Sequence, residues 1–149
     1  MTSQDRQLGV ELYNSSWALL EKAERTPAED DELLHQAHAS TYHWLEAPEC
    51  EPKNRARGEW LCSRVYSVVG RAEPALHHAR RCLAIVESHP ENMEDWDVAF
   101  AYEALARASS VAGRSEDAER FAQHARKAVA AVADPEDREH VEEALQTLE

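Results

Sequence analysis

The sequence predicts an all-α protein of about seven helices, paired into three antiparallel helical hairpins and followed by one last helix, in a single domain over residues 1–149. Three observations carry this expectation. Only four glycines occur while Ala, Glu, Leu and Arg are abundant, and no run rich in Val, Ile, Thr and aromatic residues offers itself as a strand. Proline and N-cap signals punctuate the chain throughout. The same residue classes recur around two glycines, Gly70 and Gly113. A chain of this length that is 43% hydrophobic can bury about two-thirds of its unfolded surface, enough for one core.

Taken in order, Thr2 or Ser3 offers an N-cap for an amphipathic first helix over about 5–25. Thr26-Pro27-Ala28-Glu29 supplies a cap hydroxyl, a proline where its missing N–H is harmless, and a glutamate at the reciprocal capping-box position, so the second helix runs to about Glu46. Pro48 and Pro52 bias their preceding residues away from helical dihedrals and mark a connection. The third helix, about 53–69, ends at Gly70, and the fourth spans about 72–88. After His89-Pro90, the fifth runs from about Met93 to Ala112, Gly113 closes it, and Ser115 opens the sixth, to about residue 133. Asp134-Pro135 repeats the cap-then-proline signal and starts a seventh helix, with Val141, Ala144, Leu145 and Leu148 at apolar helical spacing.

Charge and cysteine usage narrow the function classes. A formal charge of −13 repels phosphate backbones and anionic membrane faces, so neither nucleic acid nor membrane is expected as a partner. No stretch approaches the roughly 18 apolar residues of a membrane span, and no apolar secretion segment leads the chain, which makes the cytoplasm the expected location. Cys50, Cys62 and Cys82 are odd in number and lack C-x-x-C spacing, which points to reduced thiols rather than a disulfide framework or a zinc site.

The two glycine-terminated hairpins align in register. Cys62, Ser63 and Tyr66 precede Gly70, and Ala75, Ala79 and Cys82 follow it; Tyr102, Leu105, Ala106 and Ser109 precede Gly113, and Ala118, Ala122 and Ala125 follow it. Small residues at these offsets let two helices approach closely, while Leu76, Leu83, Phe121 and Val129 fill the space between successive hairpins. The pattern resembles the tetratricopeptide repeat, most closely over Tyr102–Ala125. It departs from that family in three ways: Glu59 stands where a large aromatic is expected, the two glycines are 43 residues apart rather than about 34, and the closing prolines fall late. The resemblance implies a short right-handed α-solenoid with the last helix as a cap.

The resemblance also implies that the first helix of each hairpin lines a concave groove. That assigns Arg57, Trp60, Arg64 and Ser67 to one stretch of it, Phe100, Glu103, Arg107 and Ser110 to the next, and Tyr13, Trp17 and Leu20 to an extension. Arginine beside aromatic rings suits an acidic or peptide ligand through bidentate hydrogen bonds and stacking. The competing expectation is that the arginines pair with nearby acids and the aromatics complete the core. The implied function is a protein-interaction scaffold that binds a peptide or partner helix, with no cofactor and with self-association as a further option.

A second class of function rests on histidines. His35, His38 and His43 on the second helix and His77, His78 and His89 near Cys82 on the fourth are candidates for a ligand or metal site. The three on the second helix do not share one face and no H-E-x-x-H accompanies them; His78 and Cys82 stand one helical turn apart, a spacing two ligands could use, but Cys82 takes a repeat position that the resemblance makes small and buried, on a helix it turns outward. No G-x-S-x-G, phosphate-cradling or dinucleotide motif is present, so no catalytic residue is assigned.

Overall fold

The computed structural model describes residues 1–148 and is all-α. Seven helices follow one another: α1 (Gln4–Leu20), α2 (Pro27–Glu46), α3 (Pro52–Val68), α4 (Ala72–Ser88), α5 (Asp97–Val111), α6 (Ser115–Val129) and α7 (Pro135–Gln146), with one 3₁₀ turn, Pro90–Asn92, before α5. Packing is most extensive within the pairs α1/α2, α3/α4 and α5/α6, and short connections make each pair an antiparallel hairpin. The α2/α3 and α4/α5 faces join consecutive hairpins, and α7 lies on α6 and α5.

The predicted caps form as expected. Ser3 accepts from the Arg6 N–H, Thr26 and Glu29 complete a capping box, and Asp134 accepts from the N–H groups of Glu136 and Asp137. Gly70 and Gly113 adopt left-handed φ values of 81° and 74°. In both turns the residue after the glycine closes back on the helix, Arg71 N–H to Tyr66 O and Arg114 N–H to Ser109 O, each at 2.9 Å, so these are Schellman ends in which a side chain at the glycine would be strained.

Three helix ends differ from expectation. The first helix stops at Leu20 instead of Arg25, because Arg25 turns back to donate to the Leu19 and Lys22 carbonyls while its Nε binds Asp30. The fifth begins at Asp97 instead of Met93, since the Asp97 carboxylate accepts the Glu94 N–H and holds the preceding segment out of the helix. The sixth ends at Val129 instead of residue 133, where Arg138 of α7 captures the Val132 carbonyl.

The first hairpin has no turn glycine and is drawn together differently. Gly9, in the middle of α1, lies so close to Trp44 that a Cβ there would sit 2.7 Å from the indole, and Ser40 donates to the Gly9 carbonyl at 2.7 Å. The main core joins Leu33 and Ala37 of α2 with Leu61, Val65, Ala75, Ala79 and Leu105. A second cluster, Ala99, Ala125, Val129, Val141 and Leu145, seats α7 on α5 and α6, and Phe100 and Tyr102 pack against both clusters. Deep burial of the small residues at the repeat offsets, Ala118 excepted, is the packing reason for their recurrence.

Candidate functional site

A cleft of about 600 Å³ opens where α1, α3, α5 and α7 converge. Tyr13 and Trp17 enter it from α1, Arg57, Trp60 and Arg64 from α3, Phe100 from α5, and His140, Glu143, Ala144 and Thr147 from α7; Trp96 comes from the segment before α5. Six of the eleven residues expected to form a groove therefore line one cavity. Glu103 and Arg107 lie directly beneath it, hydrogen-bonded to lining residues, and Ser67 is buried away from it with its hydroxyl unpartnered. Ser110 is exposed elsewhere on α5, and Leu20 packs against the core.

The aromatic side chains form a connected wall. Trp17 stacks on Trp60 at 5.8 Å between ring centres, Trp60 meets Phe100 edge-on at 5.7 Å, and Phe100 meets Trp96 edge-on at 5.9 Å. The His140 ring completes the line 5.7 Å from Phe100. Offset and edge-to-face contacts of this kind fix ring orientation beyond what area burial alone would do. Tyr13 sits deep in the cleft, and burial pushes its phenol up to about 12 against the opposing pull of Trp17, so it stays protonated. The Tyr13 hydroxyl donates to no acceptor in the described structure.

Beneath the wall the charges are spent on one another. Glu103, fully buried, accepts from the Trp60 indole N–H at 3.0 Å, from Arg64 at 3.1 Å and from Arg107 at 2.9 Å. Arg57 makes a bidentate pair with Asp97, both bonds 3.1 Å, and its guanidinium lies 4.4 Å over Trp96. Burial, then the nearby Arg107, pulls the Arg64 guanidinium below its ordinary value while Glu103 opposes the shift. Of the two expectations for these arginines, internal pairing with acids is the one realised, and it leaves the buried Nε atoms of Arg64 and Arg107 without a hydrogen-bond partner.

The mouth carries the opposite character. Glu21, Asp137 and Glu143 line it without an ion-pair partner among the described residues. Desolvation, followed by the neighbouring carboxylates of Asp134, Asp95, Glu136 and Glu94, raises the Asp137 carboxyl above its ordinary value, which marks a region of negative potential. Arginines 57 and 64 against Glu21, Asp97, Asp137 and Glu143 leave the cavity lining with an excess of negative charge.

Histidines from α2 and α4 do meet, but on the other side of α3. His38 and His78 lie 5.6 Å apart, His38 Nε2 is 2.9 Å from the Tyr66 hydroxyl, and His78 Nδ1 is 2.6 Å from Glu59 Oε2. Arg81 donates to the other Glu59 oxygen at 3.1 Å, and the Cys62 sulfur is 3.9 Å from His38 Nδ1. His78 thus turns onto α3 rather than outward, and Glu59, at the position expected to be aromatic, is its partner. Burial pushes the Cys62 thiol up to about 11 and the Cys82 thiol well above its ordinary range, so neither is a ready nucleophile. His43 binds Asp5, while Cys82 faces the cleft and not His78. Among the described residues no group of three or more His, Cys, Asp or Glu side chains is placed to hold a metal ion.

Trp96, Asp97 and the α7 face were not anticipated as parts of the cleft. The signal for α7 was present: Val141 and Leu145 commit one face to the core, which turns His140, Glu143, Ala144 and Thr147 toward another surface. The seventh helix, expected as a cap, packs on α5 and α6 and also walls the cleft. No helix among the described residues is long and apolar enough to cross a membrane. Comparison of this chain with protein-family models, with curated proteins and with solved structures finds no match.

Proposed function

We propose that this chain is a non-catalytic binding protein whose cleft between α1, α3, α5 and α7 receives a compact, mainly apolar ligand. The observation that carries the reading is the convergence of Tyr13, Trp17, Trp60, Trp96 and Phe100, drawn from four separate segments, around one cavity of about 600 Å³. That volume falls within the range of small-molecule pockets, and aromatic walls with a few polar groups are their usual lining. A partner helix laid along the cleft does not suit it, because a helix about 10 Å across fills such a volume in roughly one and a half turns.

A second reading is favoured by the position of the cleft on the first helices of the hairpins, where the tetratricopeptide resemblance places partner binding. In that case the chain is an interaction scaffold, and the cleft takes one or two anchoring side chains of a partner protein.

The test is purification of wild-type protein and of Trp17→Ala from the source cells, followed by mass analysis of what denaturation releases. A small molecule carried by wild type in near-equal amount and missing from the variant, with both folded by circular dichroism, supports the first reading. A protein segment cross-linked from a photoreactive residue at position 147, and lost with Trp17→Ala, moves the conclusion to the scaffold. Equal recovery from both proteins places binding elsewhere.

A further inference from the structure

The charge distribution of the cleft specifies what kind of ligand it selects. An anion would have to pass Glu21, Asp137 and Glu143 at the mouth and then compete for arginines that are already paired. To win Arg57 or Arg64 it must displace Asp97 or Glu103, and each of these carboxylates is almost wholly buried. A buried carboxylate stripped of its partner is strongly destabilising, which opposes that exchange, and of the lining arginines Arg64 keeps one buried nitrogen, Nε, without a partner.

A cation meets the reverse situation. The carboxylates at the mouth have no competing internal partner, and they attract positive charge over the length of the opening. Inside, the faces of electron-rich rings stabilise an organic cation, with tryptophan the best of the three aromatic types. Tyr13 lines the same cavity and adds one more electron-rich ring to the wall.

We propose that the cleft selects a low-molecular-weight apolar cation, an onium or alkyl- or aryl-ammonium compound, held against Trp17, Trp60 and Phe100 with its charge toward Glu21, Asp137 and Glu143. The inference rests on the cleft being the binding site. It assigns the acidic mouth to selectivity and the aromatic wall to affinity. The three mouth carboxylates lie on exposed surfaces of α7 and at the end of α1, so neutralising them leaves the core untouched.

The experiment uses tetraphenylphosphonium and tetraphenylborate, which share shape and size and differ in the sign of charge, titrated calorimetrically into the full chain. Tetraphenylphosphonium is expected to bind at least about tenfold more tightly than tetraphenylborate. The Glu21→Gln, Asp137→Asn, Glu143→Gln triple variant is expected to narrow that preference to near parity, and Trp17→Ala to weaken the phosphonium in a protein that remains helical. Equal or tighter binding of the borate by wild type, with Trp17→Ala weakening it, overturns the charge selection and leaves the cleft standing as the site. Binding of neither probe, or binding of both that Trp17→Ala does not alter, removes the cleft reading itself.

Discussion

The two faces of α3 handle buried charge in different ways. On the cleft side, Trp60 and Arg64 share the fully buried Glu103 with Arg107, and the aromatic rings above that cluster remain open to a cavity. On the opposite side, Tyr66 meets His38, and Glu59 binds both His78 and Arg81, so both of its oxygens are answered by a neighbour. Glu59 and Trp60 are adjacent in the chain, yet about 100° of helical rotation sends one to each face. The lesson is that a convergence of histidines and carboxylates is not by itself a site. What distinguishes the cleft is unspent capacity: aromatic rings lining a cavity and three carboxylates without an ion-pair partner among the described residues.

If this contrast is correct, the cleft cluster is the more costly to disrupt. Glu103→Ala strands the partly buried Arg64 guanidinium and the Trp60 N–H, leaves Arg107 with only Ala144 and Thr147, and is expected to destabilise by about 3–5 kcal/mol, lowering the thermal midpoint by roughly 10 °C or more on a circular-dichroism melt. Arg57→Ala leaves the buried Asp97 with only the Glu94 N–H and is expected to cost about 2–3 kcal/mol by denaturant titration. Glu59→Ala, the matching carboxylate deletion on the histidine side, is expected to cost only about 1–2 kcal/mol, because His78 and Arg81 can turn to water. A loss for Glu59→Ala equal to that for Glu103→Ala would erase the distinction between the two faces.

The smallest effect is a pH dependence confined to the histidine side. His38 is held below its ordinary value of 6.5 by burial and then by His78, with Glu59 opposing and His35 adding to the shift. Its neutral form is favoured in the folded state, so stability is lost as pH falls below 6.5 and continues to fall until the folded group itself protonates. Burial raises the Glu59 carboxyl, but hydrogen bonds from His78 and Arg81 outweigh it and hold the group below 4.5, so its contribution is present above that value and lost on further acidification. The two act in the same direction. Since His38 is largely exposed, its share is expected to be under about 1 kcal/mol, visible as a shallower slope of stability against pH between 6.5 and 5 in His38→Gln.

Much of the fold was legible because its signals are local. Caps at Ser3, Thr26 and Asp134 and turn glycines at 70 and 113 act within four or five residues of themselves, and each formed where expected. The misplaced helix ends depend on side chains arriving from outside the helix, Arg25 on the Leu19 carbonyl and Arg138 on that of Val132, which no local pattern announces. The cleft was legible in part for the same reason. Helical periodicity put Arg57, Trp60 and Arg64 on one face, but whether an arginine is free or paired depends on Asp97 and Glu103, some forty residues further along. The meeting of His38 with His78 needed the tertiary path of three helices.

The glycine turns have a consequence for how the molecule is made. By closing hairpins over connections of only three residues, they make most helix contacts local in sequence, and chains dominated by local contacts fold quickly. The cleft belongs to the slower part of that process. Its ion pairs join residues 39 and 40 positions apart and its last wall is the last helix, so each hairpin is complete before the binding surface exists. A nascent chain therefore acquires its helices as it lengthens, and its cleft only once α7 has been made.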